Sequence, residues 1–107
     1  MEDLSSRITM RTVLLECAKQ FRVPSGGERG ILGRRRLKTI AEARQTAIYL
    51  SRELVQASYP EIGEYFCRTH AAAIHAYKRL ARELSDRTKL GIDVEVIRDF
   101  LIIKYQS

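Results

Sequence analysis

Five positions in the middle of the chain suggest a surface built for an anion. Arg68, Ala72, His75, Arg79 and Arg82 recur at intervals of four, three, four and three. On a helix that spacing makes one continuous face, with guanidinium and imidazole groups on a small-residue background. A second basic group lies upstream in Arg34-Arg35-Arg36-Leu37-Lys38, which follows the glycines Gly26, Gly27, Gly30 and Gly33. A glycine-rich arm and a basic helix face suit the phosphates of a duplex. The competing reading of such a face is ordinary solvated charge.

Other chemistry is poorly supported. Cys67, His70 and His75 have ligand-like spacing, but a structural zinc site needs four ligands in closed geometry, so no metal or other cofactor is expected. Glu61 and Glu64 flank a helix start, where the macrodipole favours carboxylates without any catalytic role. No nucleophile–base pair is evident and the motif G-x-x-x-x-G-K-[ST] is absent, so no enzyme activity and no small-molecule substrate are expected.

The elements that must carry these residues are helical. Met10, Val13, Leu14, Cys17, Ala18 and Phe21 predict a first helix over about 9–22, ended by Val23-Pro24-Ser25-Gly26-Gly27. Residues 24–38 read as a basic loop, pinned to the core by Ile31 and Leu32. Thr39-Ile40-Ala41-Glu42 has capping-box form, with Thr39 as N-cap, and the stripe Ile40, Ala43, Ala47, Leu50, Leu54 carries a helix to about Ala57. Ser58-Tyr59-Pro60-Glu61 is a second box, opening a short helix to Phe66. Cys67-Arg68-Thr69 is a tight turn, and Thr69 caps a helix from His70 to Ser85 with Ala73, Tyr77, Leu80 and Leu84 inward. Leu90-Gly91 reads as a turn and Asp93 as the cap of a last helix over about 94–105. The apolar run Phe100-Leu101-Ile102-Ile103 packs on the first helix, offers a homodimer face, or does both.

The expectation is an all-α bundle of five to six helices with a central helix-turn-helix at 58–85. We expect a single domain over 1–107 with a flexible leader at 1–7. Its 107 residues, 45% of them hydrophobic, suffice for a core built on Leu, Ile, Val and Ala. A net charge of +6 and a pI of about 9.7 favour a polyanionic partner. The acidic start Met1-Glu2-Asp3-Leu4 and two lone cysteines suggest a cytoplasmic, nucleoid-associated protein with reduced thiols and no membrane partner.

Three stretches carry a family resemblance: Arg44-Gln45 through Arg52-Glu53-Leu54, then Tyr59-Pro60-Glu61-Ile62-Gly63-Glu64-Tyr65-Phe66, then Arg68-Thr69-His70 through Ile74-His75-Ala76. They resemble the C-terminal DNA-binding domain of the bacterial replication initiator DnaA, whose fold is related to the Trp repressor. The likeness runs from about Ile8 to Leu84. It implies double-stranded DNA as partner, with Arg36 in the minor groove and Lys38 close by. It implies that Arg34, Arg35, Arg44, Gln45 and Arg52 meet backbone phosphates, with Tyr59 and Pro60 in the contact surface. It implies that Arg68, Thr69, His70, Ala71, Ala72 and His75 form the recognition turn and helix, with Arg79 on the phosphate side. Thr69-His70-Ala71-Ala72 stands where the family has Asp-His-Thr-Thr, Leu37 replaces a family Ser, Glu42 replaces an Arg, and only Cys67 separates Phe66 from Arg68. With the initiator's ATPase signature missing, the polar leader and last helix suggest a stand-alone regulator of transcription or replication. The rival readings are an RNA-binding helical module and a helical protein-interaction domain; stacking aromatics would favour RNA.

Overall fold

The computed structural model describes residues 8–23, 28–33 and 38–105. Among them are six α-helices and no strand: α1 (Met10–Gln20), α2 (Glu28–Leu32), α3 (Lys38–Leu50), α4 (Tyr59–Tyr65), α5 (His70–Ser85) and α6 (Lys89–Tyr105). A π-helical segment, Ser51–Val55, prolongs α3. The all-α architecture with a central helix-turn-helix is therefore observed. The leader at 1–7 and the run Arg34-Arg35-Arg36-Leu37 lie outside the described residues.

Local chemistry explains most boundaries. Thr9 caps α1 and exchanges hydrogen bonds with Thr12. Val13, Leu14, Cys17 and Ala18 are buried as their spacing requires. The helix ends at Gln20, ahead of the Pro-Gly stretch, and Arg22 just beyond it takes φ 55° while Val23 N–H donates back to the Ala18 carbonyl at 2.9 Å. Within the expected loop 24–38, the described residues Glu28–Leu32 form the short helix α2, and Ile31 on it is fully buried. Ser58 and Glu61 form the expected box, with Glu61 N–H donating to Ser58 Oγ at 3.2 Å and Ser58 N–H to Glu61 Oε1 at 2.8 Å.

Two starts differ from the sequence reading. Thr39 is not an N-cap, because α3 already begins at Lys38. Glu42 instead turns outward to Arg79, at 3.9 Å. Leu90-Gly91 is not a turn, and Asp93 caps nothing. The break falls at Asp86-Arg87, where Arg87 takes φ 54°, and Thr88 Oγ1 accepts from Gly91 N–H at 3.1 Å to start α6. Gly91 serves another purpose. A Cβ there would lie 2.2 Å from the Glu83 carbonyl oxygen, so its lack of a side chain lets α5 and α6 meet closely.

The core is continuous through Leu14, Ile31, Leu50, Ile62, Phe66, Leu80 and Leu101. It packs α1, α2 and α5 on α3, packs α4 and α6 on α5, and so sets α3 beside α5. That adjacency creates the surface described next.

Candidate nucleic-acid interface

The corner between α4 and α5 is held open by one glycine. A Cβ on Gly63 would fall 2.7 Å from the Arg68 carbonyl oxygen and 3.1 Å from the His70 nitrogen. The turn thus folds directly over α4, as the Ile62-Gly63 dipeptide allows. Cys67 takes φ 57°, and Arg68 N–H closes the turn on the Gly63 carbonyl at 2.8 Å. Thr69 Oγ1 then accepts from Ala72 N–H at 3.0 Å and caps α5. The result presents Thr69, His70 and Ala71, all exposed, at the amino end of a 16-residue helix. The macrodipole there favours negative charge.

Beside this helix start runs an open groove of about 470 Å³ between α3 and α5. Arg44, Gln45 and Ile48 form one wall; Arg68, Ala72, His75, Ala76 and Arg79 form the other. The expected basic stripe of α5 is therefore real, except that Arg82 does not reach the groove. Ile48 and Ala76, not foreseen as site residues, make its apolar floor.

Two arginines converge at its inner end. Arg44 is only 8% exposed. Its Nε donates to the Ile31 carbonyl at 2.6 Å and its Nη2 to the Gly33 carbonyl at 3.0 Å. Arg68 donates from Nη2 to the same Gly33 oxygen at 2.8 Å, and from Nη1 to the Cys67 carbonyl at 3.0 Å. Two cations thus meet on one carbonyl, which has two lone pairs to offer. Burial, and then the charge of Arg68, draw the Arg44 pKa down. A negative ligand in the groove would relieve that repulsion. Nothing in the sequence advertised Gly33 as the meeting point.

Arg79 stands at the outer end, with its side chain 44% exposed, between Glu42 at 3.9 Å and Glu83 at 3.8 Å. It also donates from Nη1 to Gln45 Oε1. Lys38 is exposed on the same side, where it shares a shallow cleft with Glu42 and Arg79.

Arg52, Tyr59 and Pro60 lie apart from the groove wall. The Arg52 guanidinium sits 4.5 Å from the Tyr59 ring centroid and donates to the Ala57 carbonyl at 3.0 Å. It closes the corner where Gln56 takes φ 62°. Tyr49 and Tyr77 stack at 4.9 Å, and Tyr59 meets Tyr77 edge-on at 6.1 Å. The Tyr77 hydroxyl donates to Glu53, and that bond, with lesser help from burial, pushes its pKa up to about 12. These rings are occupied with each other.

Among the described residues, no group of three or more His, Cys, Asp and Glu side chains gathers as a metal ion would require, and no helix is long and apolar enough to cross a membrane.

Comparison with known proteins bears on this arrangement. Residues 10–80 match the family model for the bacterial dnaA protein helix-turn-helix. The chain is 35% identical over 98 residues to the chromosomal replication initiator protein DnaA of Caldanaerobacter subterraneus, covering 92% of this chain and 21% of that protein. It is 34% identical over 102 residues to the DnaA of Levilactobacillus brevis, covering 94% and 22% respectively. It thus spans about a fifth of the length of the curated relatives it matches.

Proposed function

Since the chain belongs to the bacterial DnaA helix-turn-helix family, we propose that it binds double-stranded DNA, with α5 in the major groove. Residues 1–107 act as a single binding domain in this reading. The observation that carries it is the basic groove wall running without interruption into the exposed, capped start of α5. A major groove admits one helix and presents its base edges to the first turns.

Roles divide by exposure. His70 offers ring nitrogens to a base edge and Ala71 an apolar contact to a thymine methyl. His75, Gln45, Arg79 and Lys38 fix the register on phosphates, while Thr69 stands with His70 and Ala71 at the reading turn. Arg44 and Arg68 hold the Gly33 carbonyl and lend their charge from behind. Arg52, Tyr59 and Pro60 stiffen the entry to α4 and present its amino end to the backbone. Arg34 and Arg35 add phosphate contacts and Arg36 enters the minor groove, where narrow A·T-rich DNA attracts guanidinium; this part rests on the family resemblance. Thr69 and Ala71 alter the family's reading code and shift base preference by about 1–3 kcal/mol at each affected pair. The protein regulates transcription or replication by occupying sites on the nucleoid.

The test is a fluorescence-anisotropy titration of a labelled duplex at several salt concentrations. Log affinity should fall linearly with log salt, by about 0.9 for each phosphate contact. A flat titration, or single-stranded RNA outcompeting duplex at one ionic strength, overturns the reading.

A further inference from the structure

We propose that the solvent-facing side of α6 pairs with the same side of a second copy of this chain, antiparallel and in a single register. The helix buries Leu90, Val94, Ile97 and Leu101 on the core. Opposite them it leaves Ile92 42%, Val96 59%, Phe100 40% and Ile103 75% exposed. At about 3.6 residues per turn these four form one stripe. A solvent face of a helix is normally polar, and an apolar row there marks a contact surface. None of these four lines the α3–α5 groove or the adjoining cleft of Lys38 and Arg79, which α6 borders only through Lys89, Leu90 and Asp93, so the apolar stripe is separate from the proposed DNA site.

Charge placement selects a second copy as the occupant. In a twofold antiparallel pair, residues equally distant from the axis face each other. With the axis near Arg98, Ile92 faces Ile103 of the second copy and Val96 faces its Phe100. That same register brings Asp93 opposite Lys104 of the second copy. Both charges lie on the flank beside α1: Asp93 shares a cavity with Gln20 and Phe21, and the Lys104 ammonium lies 3.9 Å from Glu16. Same-flank residues are those that meet in such a pair, so two identical ion pairs border the apolar contacts. The cavity, of about 170 Å³, adjoins Val96, where Phe100 of the second copy arrives. One charge opposes the pairing. Asp99 lies next to the axis and faces its own counterpart, with Arg98 Nε 3.4 Å away as its neighbour.

Sedimentation equilibrium of the full chain and its variants tests this, with thermal melts to check folding. The parent should show a reversible monomer–dimer equilibrium. Val96→Glu should abolish it with an unchanged melt, and Ile103→Asp does the same at the most exposed position should Val96→Glu fail to fold. Asp93→Lys should weaken the dimer about tenfold by facing Lys104 with a like charge. Asp99→Asn should tighten it several-fold. A parent that stays monomeric up to its solubility limit, or association unmoved by both apolar-to-acid changes, overturns the dimer. Weakening by Asp99→Asn, or no response to Asp93→Lys, overturns the register.

Discussion

The two ends of the α3–α5 groove hold the same kind of residue in opposite circumstances. At the inner end Arg44 is buried and its guanidinium is fixed on the Ile31 and Gly33 carbonyls. At the outer end Arg79 is exposed and shared among Gln45, Glu42 and Glu83. A buried cation with backbone partners is part of the scaffold, since removing it strands carbonyls away from water. An exposed cation among carboxylates is held weakly, because solvent screens each pair, and it can exchange partners for a phosphate. Composition counts the two arginines alike; only burial separates the strut from the hand.

Substitutions can break that distinction. The largest effect is expected at Arg44: Arg44→Ala should lower unfolding free energy by about 1–3 kcal/mol in urea titrations and weaken duplex binding with it. Arg44→Lys should recover little, because one ammonium does not replace a fork spanning two carbonyls. An Arg44→Ala protein as stable as the parent would show that the buried clamp holds nothing.

At the exposed helix start the effect should fall on selectivity. His70→Ala should leave the urea midpoint in place and flatten the preference among duplexes by about 1–3 kcal/mol. A uniform loss across all duplexes would move His70 from base reading to phosphate contact. Arg79→Ala should change stability by no more than about 0.5 kcal/mol while reducing both duplex affinity and its salt slope. If Arg79→Ala destabilises as much as Arg44→Ala, the two ends are not different.

Glu42 sharpens the comparison in the other direction. Its carboxylate competes with phosphate for Arg79, so Glu42→Gln should tighten duplex binding by up to about 1 kcal/mol at low salt; unchanged or weaker binding in the same anisotropy assay would contradict this. The smallest effect concerns Tyr77. Its folded pKa is raised from 10.0 to about 12, so the fold favours the protonated phenol. That contribution is complete below about pH 10 and is lost as pH climbs toward 12. Melting temperatures across that window should fall less in Tyr77→Phe than in the parent; equal slopes would show that the Glu53 hydrogen bond does not matter to stability.

Much of this was legible because the signals are local. The Ser58–Glu61 box, the Thr69 cap and the inward stripes of α1 and α5 each need only residues three or four apart. The errors were local as well. Thr39-x-x-Glu42 has the letters of a capping box, yet α3 is already under way at Lys38, and Glu42 has a better use facing Arg79. Leu90-Gly91 looked like a turn because glycine usually breaks helices. Here its missing Cβ serves a helix crossing instead, because the Asp86-Arg87 break folds α6 back so that Gly91 meets Glu83, a contact that helical spacing does not announce. The last helix shows the same limit: its apolar residues fall on two sides, and spacing alone did not say which side would be buried.

By itself the sequence determined the helices, their caps, the basic stripe of α5 and the family likeness, because near-neighbour sterics and hydrogen bonds govern these. Only the tertiary structure decided which arginines became scaffold. Ile31 and Gly33 meet Arg44 across 13 and 11 positions, and Gly33 meets Arg68 across 35. Contacts at that separation arise from packing the whole core, and burial then turns a soluble charge into an anchor.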